Sequence, residues 1–146
     1  MVIDRVENLR AWKLTHQFKL AVYRILDTGS LAGDFTLREQ LREAAASAVS
    51  QIEEGFARFY PKDFGRFVVG AKASMAECRG HLRDAVDRGH ITSDAYRDID
   101  ALVREARREI AGLLDYLQSP EAERNARLIW ERRAERRRAR TKNREP

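Results

Sequence analysis

The chain is poor in the residues that punctuate a fold. Eight glycines and three prolines in 146 residues are too few for collagen-like, linker-like or disulfide-scaffold classes, and their scarcity points to long helices. The single cysteine, Cys78, rules out an internal disulfide, and a reducing, cytoplasmic setting is expected. No apolar run approaches the roughly 18 residues that a membrane-crossing helix needs. The opening stretch, MVIDRVENLRAWK, has no apolar segment behind a basic one, so no secretory signal is expected. Only three histidines, His16, His81 and His90, are present to serve catalysis or metal binding.

What the chain does have is charge and apolar periodicity. Apolar residues make up 43%, enough for a core without covalent staples, and charged residues 35%. The net charge of +5 is unevenly placed. Residues 1–120 hold 18 Lys/Arg against 18 Asp/Glu, whereas residues 121–146 hold 10 against 5. All of the excess is in the last segment, which separates a neutral body (1–120) from a basic tail (121–146).

Within the body the apolar residues recur every three or four positions. Leu9, Trp12, Phe18, Val22, Ile25 and Leu26 mark a first amphipathic helix at about 9–27. Thr36, with Glu39 three residues on, reads as a capping box for a second helix at about 37–58. Its stripe of Leu37, Leu41, Ala44, Ala45, Ala48, Ile52 and Gly55 is dominated by small residues, which let a neighbouring helix approach closely. Pro61 suits the first turn of a third helix at about 61–88, in which Phe64, Phe67, Val68, Ala71, Met75, Cys78, Leu82, Ala85 and Val86 keep the same rhythm. Gly89 is a natural left-handed stop, and Thr92 caps a fourth helix whose stripe runs from Tyr96 to Leu117. Long helices joined by short connections predict an all-α, up-down-up-down four-helix bundle with a basic, helical C-terminal tail. Leu14, Leu20, Tyr23, Val69 and Tyr116 fall off the inward stripes, and such a set predicts oligomerisation.

The segments LREQLREAAASAVSQIEEGFAR (37–58) and FVVGAKASMAECRGHLRDAVDRGHIT (67–92), together with Trp12 ten residues before Val22, resemble the four-helix-bundle proteins encoded in intervening sequences of bacterial 23S ribosomal RNA genes. The same broad family is similar to the accessory variability protein of diversity-generating retroelements. Ile52, Glu54, Gly55, Ser74 and Glu77 match the family pattern, while Gln51, Glu53 and Ala73 depart from it. The resemblance implies a homopentamer of bundles and, for the retroelement branch, binding to a reverse transcriptase and its RNA through basic surfaces. It spans about residues 7–118, so the tail must be read on its own residues.

No catalytic constellation emerges, and the chain is expected not to be an enzyme. Glu77, Cys78 and His81 are close in sequence, but a four-helix di-metal site needs Glu-x-x-His pairs on two helices, and none occurs. Neither a metal nor a cofactor is expected. Two stretches instead carry nucleic-acid chemistry. In FARFYPKDFGRF (56–67), Arg58, Lys62 and Arg66 interleave with aromatics, the recipe for stacking bases and neutralising phosphates. The competing reading places Phe56, Phe64 and Phe67 in the core and turns Phe59 and Tyr60 toward another subunit. The tail carries Arg124, Arg127, Arg132, Arg133, Arg136, Arg137, Arg138, Arg140, Lys142 and Arg144, a density that suits RNA phosphates. Glu121 to Arg140 contains no Gly or Pro and favours a helix, from which Leu128, Ile129 and Trp130 either dock on the bundle or a neighbour, or Trp130 stacks on a base.

The sequence therefore predicts a cytoplasmic, homo-oligomeric RNA-binding accessory protein, with a reverse transcriptase as one partner and no membrane contact. The candidate oligomer contacts are Phe59, Tyr60, Tyr23 and Trp130. The competing expectation is a protein-interaction scaffold with no direct nucleic-acid role.

Overall fold

A computed structural model of the chain describes residue 3 and residues 5–143. Among the described residues the protein is all-helical, with five α-helices, α1 (Arg10–Leu26), α2 (Phe35–Ala57), α3 (Pro61–Asp87), α4 (Ser93–Leu117) and α5 (Pro120–Lys142), and short 3-10 turns at Val6–Asn8 and Gly29–Gly33. The bounds of the first three helices lie within two residues of those the periodicity predicts.

The helix ends follow local chemistry. Pro61 opens α3 at its first turn, where a missing N–H costs nothing, and Gly89 takes φ +73° to end it. Thr92 caps α4 by accepting from the Ala95 amide at 3.1 Å. The expected cap of α2 is corrected. Asp34, not Thr36, accepts from the Leu37 amide at 3.3 Å, and the helix begins two residues early at Phe35. Both residue types can cap, but only Asp34 is also held by the α3–α4 connection, through His90 and Arg88.

Helices α1 to α4 share one core. α2 packs on α1 and α3, and α4 on α1 and α3. Phe18, Val22, Leu41, Met75, Leu82, Val103 and Ile110 are buried within it. Each such large apolar side chain contributes roughly 1.5–3 kcal/mol of gross burial. Thr15 is the one hydroxyl among the fully covered residues of α1, and its Oγ1 donates to the Ala11 carbonyl at 2.7 Å. Ala44, Ala45 and Ala48 are all buried, as their size predicts. Leu14, expected on the outside, belongs to the core instead, because Ala11, Leu14 and Phe18 continue one face of α1.

Helices α2 and α3 approach each other closely. A Cβ on Gly55 would meet Phe67 Cβ at 2.7 Å and the Phe64 carbonyl oxygen at 3.2 Å. Further along the same seam, Gln51 Nε2 donates to Ser74 Oγ at 2.9 Å and to Ser47 Oγ at 3.1 Å, while the two serines bond each other at 2.9 Å. Arg79 and Asp100, 2.7 Å apart and mostly covered, tie α3 to α4. At one end of the molecule a second apolar cluster forms around Leu9, Ile52 and Ala71, with Val6, Trp12, Phe56, Phe64 and Leu113 against it. That cluster brings together the start of α1, the α2–α3 turn and the last turns of α4, from which α5 departs.

Candidate nucleic-acid interface

The sequence SPEAE encodes the start of α5. Ser119 Oγ accepts from the Ala122 amide at 3.3 Å, Pro120 occupies the first turn, and Glu121 and Glu123 sit at the positive end of the helix dipole. Arg140 and Lys142 complement the negative end. The helix is moored at its beginning. Ala122 is buried, Ala126 and Ile129 are half-buried, and Asn125 Nδ2 donates to Tyr116 Oη of α4 at 3.0 Å. Ala122, Asn125, Ala126 and Ile129 stand at i, i+3, i+4 and i+7, which puts them on one face.

That same face continues as Arg133, Arg136, Arg137 and Arg140. An apolar docking stripe thus becomes an arginine stripe of identical spacing, and docking stops there. From Arg132 to Asn143 every residue except Ala134 is exposed. All nine predicted cations that fall on α5, Arg124, Arg127, Arg132, Arg133, Arg136, Arg137, Arg138, Arg140 and Lys142, are exposed. None of them is in an ion pair among the described residues. Arg144 lies outside the described residues.

The second basic group lies at the α2–α3 turn and is more engaged. Arg58 reaches Glu54 at 3.4 Å and stacks over Phe67, 5.0 Å from the ring centroid. Arg66 is 3.9 Å from Asp63, and Lys62 is exposed. Phe56 meets Phe64 edge-on, which gives these two the packing role that the core reading assigned them. Phe56 and Phe64, on either side of this turn, share a cluster with Leu113 near the end of α4, so the turn and the root of α5 lie at the same end of the molecule.

The candidate oligomer contacts are dispersed. Tyr60 and Trp130 are exposed, while Phe59 is half-buried with its ring edge-on to Tyr60. Tyr23 packs against the core, with Lys19 Nζ 5.6 Å from its ring centroid, so it is already partly satisfied. Leu20, Val69 and Tyr116 are exposed, Tyr116 with its hydroxyl bound by Asn125.

Of the three residues weighed for a metal, Cys78 is set apart from Glu77 and His81. Cys78 points into the core, and burial pushes its thiol up to about 12, whereas Glu77 is exposed and reaches His81 at 3.5 Å.

One polar cluster was not foreseen from the sequence. Ser30 Oγ is 2.7 Å from His90 Nδ1, His90 Nε2 is 2.8 Å from Asp34 Oδ2, and Arg88 reaches the same oxygen at 3.3 Å. The His90 hydrogen bond, then the Leu37 amide and the Arg88 charge, hold the Asp34 carboxyl below its ordinary range. Asp34 thereby joins the Gly29–Gly33 turn, the start of α2 and the α3–α4 connection, at the end of the molecule away from α5. Its side-chain partners, Arg88 and His90, are more than fifty residues away in the chain, so no local spacing announces them.

No curated protein matches the chain. A family model, that of the 23S rRNA-intervening sequence protein, matches residues 7–112, which covers α1 to α3 and most of α4 and leaves α5 outside. With the matched segment spanning most of its length, the chain belongs to the 23S rRNA-intervening sequence protein family.

Proposed function

We propose that the chain is a non-enzymatic, homo-oligomeric, cytoplasmic protein that binds RNA through α5. The observation that carries this reading is the state of the nine α5 cations, all exposed and none in an ion pair among the described residues, although Glu121, Glu123, Glu131 and Glu135 share the helix. Cations held along one helix, none of them closed on a neighbouring carboxylate among the described residues, are set to replace the counterions of a phosphate backbone. Arg58, Lys62 and Arg66 extend the basic surface at the root of the helix.

In this reading α1 to α4 form an up-down-up-down bundle that acts as the scaffold. The short connections favour it, as do the pairs Trp12–Glu53, Arg10–Glu109 and Arg79–Asp100. Leu20, Val69, Tyr60 and Trp130 on the outside support assembly into an oligomer, and the family resemblance gives five subunits. A retroelement reverse transcriptase is the partner that the same resemblance supplies, and the neighbouring gene discriminates it from a free-standing role.

Titrating the full-length chain onto fluorescently labelled RNA at several salt concentrations tests the proposal. If six to eight cations meet phosphates, the log–log salt slope is about −4 to −6. No binding at low salt would instead favour a scaffold that grips an acidic protein. Sedimentation at micromolar concentration tests the oligomer, which a monomer mass would refute.

A further inference from the structure

The distribution of charge around α5 says more about its ligand than the total does. Successive residues of a helix advance by roughly 100°, so Arg133, Arg136, Arg137 and Arg140 lie on one side. Arg138 and Lys142 emerge on the opposite side, beside Glu131 and Glu135. A helix that lies along one strand needs cations on one face only. Cations on opposite sides of a rod about 10–12 Å across suit phosphates to its left and right, as in the groove between two strands.

Trp130 adds a second requirement. It stands at the point where docking ends, is 53% exposed, and shares its side of the helix with Arg133 and Arg137, at i+3 and i+7. An indole so placed offers a stacking surface flanked by two guanidinium groups, and what stacks there is a base that has left its pair. The regular A-form duplex provides neither condition, because its major groove is too narrow for a helix and its bases are stacked inside. A bulge or internal loop supplies both, since it opens the groove and frees a base.

Resting on the RNA-binding reading of the same helix, we infer that α5 enters the groove of an RNA duplex interrupted by a bulge or internal loop, with Trp130 stacked on an unpaired base and the arginines on the two flanking strands. The moored first turns, Ala122 to Ile129, fix the direction in which the helix presents this surface. Nothing in α5 is buried beyond Ile129 except half of Ala134, so the inserting portion is free to do so.

The test uses the full-length chain and four labelled probes of matched length: an RNA hairpin with an internal loop, the same hairpin fully paired, an unstructured RNA, and the paired sequence as DNA. Anisotropy at one fixed salt should show the looped RNA bound at least about tenfold more tightly than each of the others, the range expected for one stacked base. Trp130 fluorescence should be quenched on binding, with Trp12, half-buried and bonded to Glu53, as the constant background. Trp130→Ala should bring the looped RNA down to the affinity of the paired one, and Trp130→Phe should retain most of the difference. Changing Arg133, Arg136, Arg137 and Arg140 to Gln should flatten the salt slope on the looped RNA by about three. Circular dichroism verifies that each variant keeps its helices. Equal affinity for the three RNAs, or an unquenched Trp130, would overturn this inference and leave RNA binding standing. Preference for the DNA duplex, or no binding to any RNA at low salt, would overturn both.

Discussion

Gly70 of α3 and Gln51 of α2 occupy one shared space: a Cβ at position 70 would lie 2.8 Å from Gln51 Cδ, inside the volume of the carboxamide that bonds Ser47 and Ser74. Gly55, where α2 ends, makes a different approach, because a Cβ there meets Phe67 Cβ and the Phe64 carbonyl, atoms fixed to the backbone of α3. The first crowding can be relieved by swinging the end of a flexible side chain. The second requires two helices to move apart.

The two glycines should therefore respond differently to alanine. Gly70→Ala gains roughly 1 kcal/mol of helix propensity and loses a similar amount in the Gln51 bonds, so its melting temperature should stay near that of the parent. Gly55→Ala should lose about 1–3 kcal/mol through overpacking. Thermal unfolding of both variants checks this, and equal losses would show that the α2–α3 seam yields uniformly.

The Asp34 cluster predicts an acid-sensitive end. Its carboxyl titrates below its ordinary 3.8, chiefly through the hydrogen bond with His90 and then the Leu37 amide. A carboxylate depressed on folding contributes stability that is full above the unfolded value and is lost as pH falls through the folded one. Melting curves between about pH 5 and 2 should show this loss in the parent and a shallower one in Asp34→Asn. Identical pH profiles would remove Asp34 from the acid response.

Cys78 predicts the opposite limb. Burial moves its thiol from an ordinary 9.0 up to about 12, so the unfolded chain releases this proton first as pH rises. Stability should fall between pH 9 and 12 by this contribution, and Cys78→Ser or Cys78→Ala should blunt the fall. In the folded protein at neutral pH the thiol should resist alkylating reagents, and it should react once the chain is denatured. Rapid labelling of the native protein would place the sulfur at the surface.

The helices were legible because their apolar stripes repeat at the helical period over long stretches. The small face of α2 could also be read, since Ala44, Ala45 and Ala48 have no other use at inward positions. The α2 cap was not, because Asp34 and Thr36 are both good caps two residues apart and the choice rests on His90 and Arg88 in a distant connection. The departures at Gln51 and Glu53 had no meaning until the fold set Gln51 against Ser74 and Glu53 3.0 Å from the Trp12 indole nitrogen. In α5 the change from Ala122, Asn125, Ala126 and Ile129 to Arg133, Arg136, Arg137 and Arg140 is visible in the sequence itself. Counting charge over the whole tail hides it, because a sum carries no periodicity.

That change of face sets the expected outcome of removing residues 121–146. The shared core is built from α1 to α4, and of α5 only Ala122 is fully covered, so the shortened chain should stay folded and lose only the docking contacts of Ala122, Asn125, Ala126 and Ile129. If the proposed oligomer forms through Leu20, Val69 and Tyr60 rather than Trp130, the shortened chain should sediment with the same number of subunits as the parent. Its charge falls to zero, 18 Lys/Arg against 18 Asp/Glu, which leaves only the local patch at Arg58, Lys62 and Arg66 to face a polyanion. Arg58 and Arg66 already lie near Glu54 and Asp63, so that patch is a weaker competitor for phosphate than α5. RNA affinity at about 0.15 M salt should therefore drop steeply and the salt slope should fall to about −2 or less, the contribution of at most three cations. A truncated protein that binds RNA as the parent does would move the site onto the bundle and leave the arginine face of α5 without a role.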